Sequence, residues 1–298
     1  MTTSAAYHDY EVIESTQAGA DTSGFGPRVL DRTFAILRLF TPDAADWTVT
    51  EAAQALDLPV PTVHRLLAAL QRHGYVARDE VSKRYRLGVA AFELGRRATS
   101  STDLRATSLK VLESIASASG ETVLLTAISP DRRTSVCLER VESRKPLRLS
   151  VVPGMRVPLH AGASQKALLA YMSDTDLHSF MDGGLIPLCD STITDPLALG
   201  QELEAIRRRG WATSYQETNL GLWGIAITLL DAGASPVAAV GLAGPRARLP
   251  KNRIPEVLQL LDEGARAIAS SRALATSTQM TRDSSPTPAP ARAGSNSR

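Results

Sequence analysis

Apolar residues recur at helical spacing through three stretches near the amino end of the chain, and the pattern then switches to alternation. Val29 to Phe40 (VLDRTFAILRLF) sets Leu30, Phe34, Leu37 and Phe40 in one stripe and predicts a scaffold helix. Glu51 to Leu56 predicts a short helix with Thr50 as its N-cap, and the Leu58-Pro59 break predicts a turn. Pro61 to His73 predicts a second helix. On it Val63, Leu66, Leu67 and Leu70 share one face, while Thr62, Arg65, Ala69 and Arg72 point the other way. Pro61 suits the first helical position, and Val60 before it is pushed out of helical geometry. Gly74 stops this helix. Tyr75 to Arg78 then reads as a strand, Asp79 to Lys83 as a turn, and Arg84 to Leu87 as a returning strand with Tyr85 and Leu87 inward and Arg84 and Arg86 outward. Helix, turn, helix and basic hairpin in this order describe a winged helix-turn-helix.

Charge sharpens that reading. Pro61 to Arg86 carries six cations against two carboxylates, whereas the whole chain has a net charge of only +2. Positive charge is therefore concentrated on the motif, as contact with double-stranded DNA requires. A recognition helix enters the major groove with its first side chains nearest the base edges, so Thr62, His64 and Arg65 are the base-reading candidates. Arg78, Lys83, Arg84 and Arg86 on the hairpin are candidates for phosphate contact, and Arg72 on the same helix and Thr50 on the first helix complete the DNA-binding set. Thr62 could instead serve only the helix start, and His64 could touch phosphate or pack as a bystander. A Leu-rich helix with scattered arginines also fits any solvated amphipathic helix; the order of elements argues for DNA.

Beyond the hairpin, Val89 to Arg97 and Asp103 to Ser119 predict helices that link two domains and pair two subunits. From Glu121 the pattern becomes strand-like: ETVLLTAI, TSVCLERV and LRLSVV are short and β-branched, with turn residues between them. Helices are expected at Gly162 to Met172 and Pro196 to Arg209, strands at Ala212 to Glu217, Ile225 to Leu230 and Val237 to Gly244, and a closing helix at Ile254 to Leu274. Strands clustered at both ends of this region with helices between predict an α+β domain around an antiparallel sheet. The expected division is a tail over 1–26, a DNA-binding domain over 27–88, linker and dimerisation helices over 89–119, an effector-binding domain over 120–274 and a second tail over 275–298.

Composition removes several classes. A chain of 298 residues with 43% hydrophobic content supports about two domains with real cores. Its first residues include acidic side chains and lack the apolar stretch of a secretory signal, and no apolar run approaches the roughly 18 residues of a membrane helix. A soluble, cytoplasmic protein with no membrane partner is expected. Cys137 and Cys189 stand far apart without a CxxC pattern, and the five histidines show no ligand spacing, so neither a metal nor a cofactor is implied. No catalytic residue is assigned. Cys137 alternates with strand neighbours as a small buried hydrophobe would, His160 with Ser164 has no third orienting residue, and neither GxSxG nor GxxxxGK[ST] occurs.

From about Pro27 to Arg272 the chain resembles the IclR family of bacterial transcriptional regulators. The resemblance rests on TVHRLLAAL, GYVARD, YRLG, GETVLL, VPLHAGASQKALLAYM, RRGWATSYQE and VAAVGLAGPRAR, taken in their order and spacing. It implies a winged helix-turn-helix, a GAF-like C-terminal effector domain, and homodimers or dimers of dimers on an operator. It also implies a small-molecule site lined by Met155, Leu159, Ala161, Tyr215, Glu217, Gly224, Gly241 and Ala243. Glycines within strand-like segments fit close approach of a ligand or of backbone, and equally a bulge or strand end. Family members that hold small oxo acids often carry hydroxyl or thiol side chains where this chain has Gly224, Gly241 and Ala243. That departure implies a larger or more apolar effector, such as an aromatic metabolite, with Tyr215, Thr218, Asn219 and Trp223 available for stacking and hydrogen bonds. A second departure is Pro61, where the family usually has a hydroxyl residue; it removes a side-chain cap and stays outside the binding set.

Overall fold

The computed structural model describes residues 28–41, 44–98, 104–145, 149, 151–249 and 251–283. The tail expected over 1–26 lies outside them, as does the end of the second tail from 284 on. The chain divides into two compact units, Met1–Ser101 and Thr102–Arg298.

In the first unit, α1 (Arg28–Arg38), α2 (Val49–Ala55) and α3 (Val60–Arg72) surround one core, closed by a small sheet of β1 (Asp46–Trp47), β2 (Val76–Arg78) and β3 (Tyr85–Leu87) in the order β1-β3-β2. Val63, Leu66, Leu67 and Leu70 of α3 are buried, as their spacing predicts, with Ile36, Ala52, Val76 and Tyr85 around them. The scaffold stripe is corrected. Ile36 and Leu39 enter the core, whereas Leu30 and Phe34 stay about half exposed, because only the C-terminal end of α1 docks on the core. The N-cap of α2 is Thr48, not Thr50: its hydroxyl accepts from Glu51 N at 3.2 Å and the Glu51 carboxylate accepts from Thr48 N at 2.8 Å, a reciprocal capping box. The recognition helix starts one residue earlier than expected. Pro59 is its N-cap and Val60 is helical, so Pro61 occupies the second position, where its missing N–H still costs no helical bond. Strand β1 has no periodic signal, being two residues long; it is fixed by Trp47, whose Nε1 donates to Leu39 O at 2.8 Å and Ala44 O at 3.1 Å. Leu87 does not turn inward but remains exposed at the end of the hairpin. After it, Gly88 starts α4 (Val89–Ala98), and a side chain at Gly88 would collide with the Gly74 carbonyl, so wing and recognition-helix exit touch backbone to backbone.

The second unit is a three-layer α+β fold. Its sheet contains β4 (Thr122–Ile128), β5 (Thr134–Val141), β6 (Arg156–Pro158), β7 (Ala212–Tyr215), β8 (Leu222–Leu230) and β9 (Pro236–Pro245), in the order β6-β5-β4-β9-β8-β7 with every neighbouring pair antiparallel. On one face α5 (Leu104–Ser119) and α9 (Ile254–Asp283) bury Leu112, Ile115, Val257 and Leu261 against Val123, Leu125, Ile225 and Val240. On the other face α6 (Ala163–Leu169), α7 (Asp174–Asp182) and α8 (Pro196–Arg209) cover Ala226 and Ala239. Consecutive strand residues thus enter different cores, which is why the strands read as near-continuous apolar runs.

Three expectations change here. The described residues of LRLSVV are not a strand, because Arg140 Nη1 holds the Leu149 and Val151 carbonyls at 2.9 and 2.6 Å, and the sheet edge is Arg156–Pro158 instead. Helix α7 was not expected; Ser173 caps it by accepting from Asp176 N at 3.2 Å. Helix α9 runs past Leu274 to Asp283, through Ala, Gln and Met positions without a Pro or Gly to stop it.

Candidate nucleic-acid interface and effector site

The capped start of α2, the Pro59 turn and the buried face of α3 together fix which side of α3 meets solvent. His64, Arg65 and Arg72 are exposed there, Thr62 is half buried, and Thr50 is exposed on α2. Arg65 and Arg72 on the helix, and Arg86 on β3, have no ion-pair partner among the described residues, so three cations remain available to an anionic partner. The other basic residues of the hairpin are held within the unit. Lys83 lies 3.5 Å from Glu80. Arg78 stacks across the strands on Tyr85, 5.6 Å from the ring centre. Arg84 differs most from the expectation that it faces phosphate. Its Nε is bonded to Asp46 Oδ1, its Nη2 lies 3.2 Å from Asp46 O and 2.9 Å from Glu51 Oε2, and its Nη1 lies 3.1 Å from Glu51 Oε1. Carboxylates close by raise its pKa, Asp46 first, while the capping bond from Thr48 and then Arg84 hold the Glu51 carboxyl below its ordinary range. Arg84 therefore ties the wing to β1 and to the first turn of α2.

In the second unit, two buried ionic groups organise the face of the sheet covered by α6. Lys166 of α6 is only 2% exposed, with Nζ 2.6 Å from Glu217 Oε1 and 3.7 Å from Glu202 Oε1. The other Glu217 oxygen accepts from Gly162 N at 3.0 Å, and Glu217 O accepts from Thr192 Oγ1 at 2.6 Å. Gly162 has a φ of 102°, where a side chain would be strained and would meet Gln165. His160 donates or accepts through Nε2 at 2.8 Å from Ile186 O; a carbonyl can only accept, so this nitrogen carries the proton. Burial lowers the His160 pKa. Cys137 is buried and its thiol is pushed up to about 12, which leaves it protonated and inert as a nucleophile. Among the described residues no group of His, Cys, Asp and Glu is placed to hold a metal ion, and no helix is long and apolar enough to cross a membrane.

Residues 29–80 match the family model described as the IclR helix-turn-helix domain, and residues 96–270 match that of the bacterial transcriptional regulator IclR C-terminal domain. The chain belongs to the IclR family. It is 32% identical over 252 residues to the HTH-type transcriptional regulator BhcR of Paracoccus denitrificans, covering 84% of this chain and 89% of that one. The crystal structure of the Thermotoga maritima IclR is 29% identical, with a TM-score of 0.62 over 83% of this chain and 99% of that one. An IclR homologue from Microbacterium hydrocarbonoxydans, solved in complex with 4-hydroxybenzoate, is 24% identical and shares the fold at a TM-score of 0.73 over 83% and 99% of the two chains. These relatives are regulators, not enzymes, and the protein is accordingly a DNA-binding transcriptional regulator.

Within this IclR-family protein the residues expected to line an effector site do not all meet. Gly224, Gly241 and Ala243 share the face covered by α6, and Leu159 and Ala161 are fully buried beside that helix. Met155 is half buried and its carbonyl accepts from Cys137 N at 3.0 Å. Tyr215 is different: it stands opposite Trp223, whose side chain enters the core under α5 and α9, so it projects from that face and is 39% exposed. Glu217 is near the site, with both oxygens already engaged. The glycines do not leave the room inferred from their lack of side chains. A Cβ at Gly224 would lie 3.1 Å from Ala163 Cβ and one at Gly241 2.5 Å from Ser164 Oγ, so their space is taken by the close seating of α6. Ser164, Gln165 and Lys166 of α6, which meet Gly241, Gly162 and Glu217, lie outside the expected set. A lysine amid small residues on a short apolar helix was the one legible signal, since such a charge must be buried with a partner.

Proposed function

We propose that this regulator acts as a cytoplasmic homodimer, or a pair of such dimers, that reads a partly palindromic operator and changes its affinity when a small organic effector enters the second unit. The observation that carries the reading is the exposed set of His64, Arg65, Arg72 and Arg86, none with an ion-pair partner among the described residues, on a recognition helix and wing whose Arg84 is held by Asp46 and Glu51. Thr62, His64 and Arg65 would reach base edges, and Arg72, Lys83 and Arg86 would lie along phosphates. Dimerisation is supported by large apolar side chains left in solvent on α1 and α4, among them Phe34 at 55%, Val89 at 68% and Phe92 at 69% exposure. Paired recognition helices would then meet half-sites about one helical turn apart or a multiple of it. The relative that carries 4-hydroxybenzoate supports an aromatic effector, although the glycines of this chain no longer do.

The test is selection of fragmented host genomic DNA by the purified protein at near-physiological salt, alongside Arg65→Ala. A few discrete loci should be recovered, and the variant should lose them through a cost of about 1–3 kcal/mol at the specific site. Uniform recovery of all fragments by both proteins would refute operator reading. Loss or gain of those loci on adding a small-molecule fraction of host extract tests the effector half of the proposal.

A further inference from the structure

Charge is divided unevenly along the amino end of the chain. Residues 1–27 hold four carboxylates, Asp9, Glu11, Glu14 and Asp21, and neither a lysine nor an arginine. Three of the four fall between positions 9 and 14, among Tyr10, Val12 and Ile13. The unit that follows this acidic arm presents the opposite sign. Helix α3 contains no acidic residue, and its Arg65 and Arg72, with Arg86 of the wing, are exposed and lack an ion-pair partner among the described residues. An anionic segment on the same chain competes with DNA for those three cations.

Spacing and reach both permit the contact. Arg65 and Arg72 are seven residues apart on one helix face, two turns, so their Cα atoms are about 10.5 Å apart. Glu11 and Glu14 in an extended segment are about 10 Å apart, and each can meet one of the two guanidinium groups. An extended chain covers at most about 3.3–3.6 Å per residue, so Glu14 can stand about 45–50 Å from Arg28, where α1 begins. A compact unit of about 70 residues is only roughly 28 Å across. Exposed ion pairs are weak one by one, but a short tether holds the arm near α3 at an effective concentration in the millimolar range. Arg28, Arg32 and Arg38 of α1 are exposed as well. They share their helix with Asp31 and with the half-exposed Leu30 and Phe34, a mixed face less complementary to a run of carboxylates than that of α3.

We propose that the acidic arm, through Asp9, Glu11, Glu14 and Asp21, docks on the exposed face of α3 and the wing and competes with DNA for Arg65, Arg72 and Arg86. The proposal rests on the reading of these three as the DNA-facing cations. Its test compares the full chain with a neutralised full chain carrying Asp9→Asn, Glu11→Gln, Glu14→Gln and Asp21→Asn, by fluorescence anisotropy of a labelled mixed-sequence duplex. At roughly 50 mM salt the neutralised chain should bind about eight-fold more tightly, three exposed ion pairs at about two-fold each. The gap should close at roughly 500 mM salt, where the Debye length falls to about 4 Å. A fluorescent peptide of residues 1–26 should bind the neutralised chain and be displaced by the duplex. It should not bind that chain with Arg65→Ala, Arg72→Ala and Arg86→Ala added, an unchanged Tm showing that this variant is folded. Unchanged low-salt affinity, a gain that survives high salt, or a peptide that does not bind, resists the duplex or still binds the triple variant would each overturn the docked arm. The DNA-face reading fails separately, if the three arginine substitutions in the otherwise unaltered chain leave duplex affinity and its salt slope as they were.

Discussion

Arg84 and Arg86 stand two residues apart on one strand of the wing, and the structure gives them opposite roles. Every guanidinium nitrogen of Arg84 faces Asp46 or Glu51, whereas Arg86 has no ion-pair partner among the described residues. A phosphate could recruit Arg84 only by displacing two carboxylates, so Arg84 should release no DNA counterion of its own. The comparison is Arg84→Met against Arg86→Met, with affinity for a labelled mixed-sequence duplex measured by fluorescence anisotropy over a range of salt. Each neutralised phosphate contributes about 0.9 to the slope of log affinity against log salt. Arg86→Met should therefore flatten the slope by about 0.9, equivalent to about 3.5-fold in affinity between roughly 50 and 200 mM salt. Arg84→Met should leave the slope unchanged and lower the whole line in parallel, because the wing loses its tie to α2 while Asp46 and Glu51 are left uncompensated. Equal flattening by the two variants would refute the assignment and return Arg84 to the phosphate-binding set.

Three further outcomes follow from the second unit. Glu217→Ala should destabilise by about 3–5 kcal/mol in urea unfolding, since it strands a buried lysine, while Lys166→Met combined with Glu217→Gln should recover much of that loss; a single-variant cost below 1 kcal/mol, roughly a surface pair's worth, would contradict a buried bracket. Gly241→Ala should cost about 1–3 kcal/mol, because the new methyl meets Ser164 Oγ, Ala226 Cβ and the Ile225 carbonyl together, and an unchanged Tm would show that the packing there is looser than described. His160 has a lowered pKa in the fold, so the unfolded chain takes up its proton first; stability is complete above the unfolded value of about 6.5 and falls as pH drops below it, by up to about 1.4 kcal/mol per pH unit until the folded value is reached. His160→Gln, which keeps a donor for Ile186 O, should flatten that acid limb, and an unaltered limb would place the titration elsewhere.

The recognition helix was legible because one physical demand, burying Val63, Leu66, Leu67 and Leu70, leaves its mark at every third or fourth residue. The antiparallel sheet was legible for a similar reason, although strand ends were not: alternation would put Tyr215 and Glu217 on one face, yet β7 ends at Tyr215 and Gln216 takes a φ of 59°, so Tyr215 stays on the far face while Glu217 turns to Lys166. Roles decided by distant partners left no local trace. Arg84 resembles Arg86 until Asp46, 38 positions away, is brought beside it. Gly241 resembles a vacancy until Ser164 is laid over it. Trp47 fixes a two-residue strand through bonds to Leu39 and Ala44 that no periodicity announces.

The two units keep separate interiors. Every residue of the core around α3 precedes position 88, and every residue of the two cores flanking the large sheet follows position 103. Inheritance can act on such halves one at a time. A recombination joint between Ala98 and Leu104 would cut through neither interior, so a reading head could be passed to a new sensing half, or the reverse, without either having to be repacked. A lineage built this way can acquire a new chemical cue while keeping its old address on the chromosome, and its diversification would then proceed by exchange as readily as by point substitution.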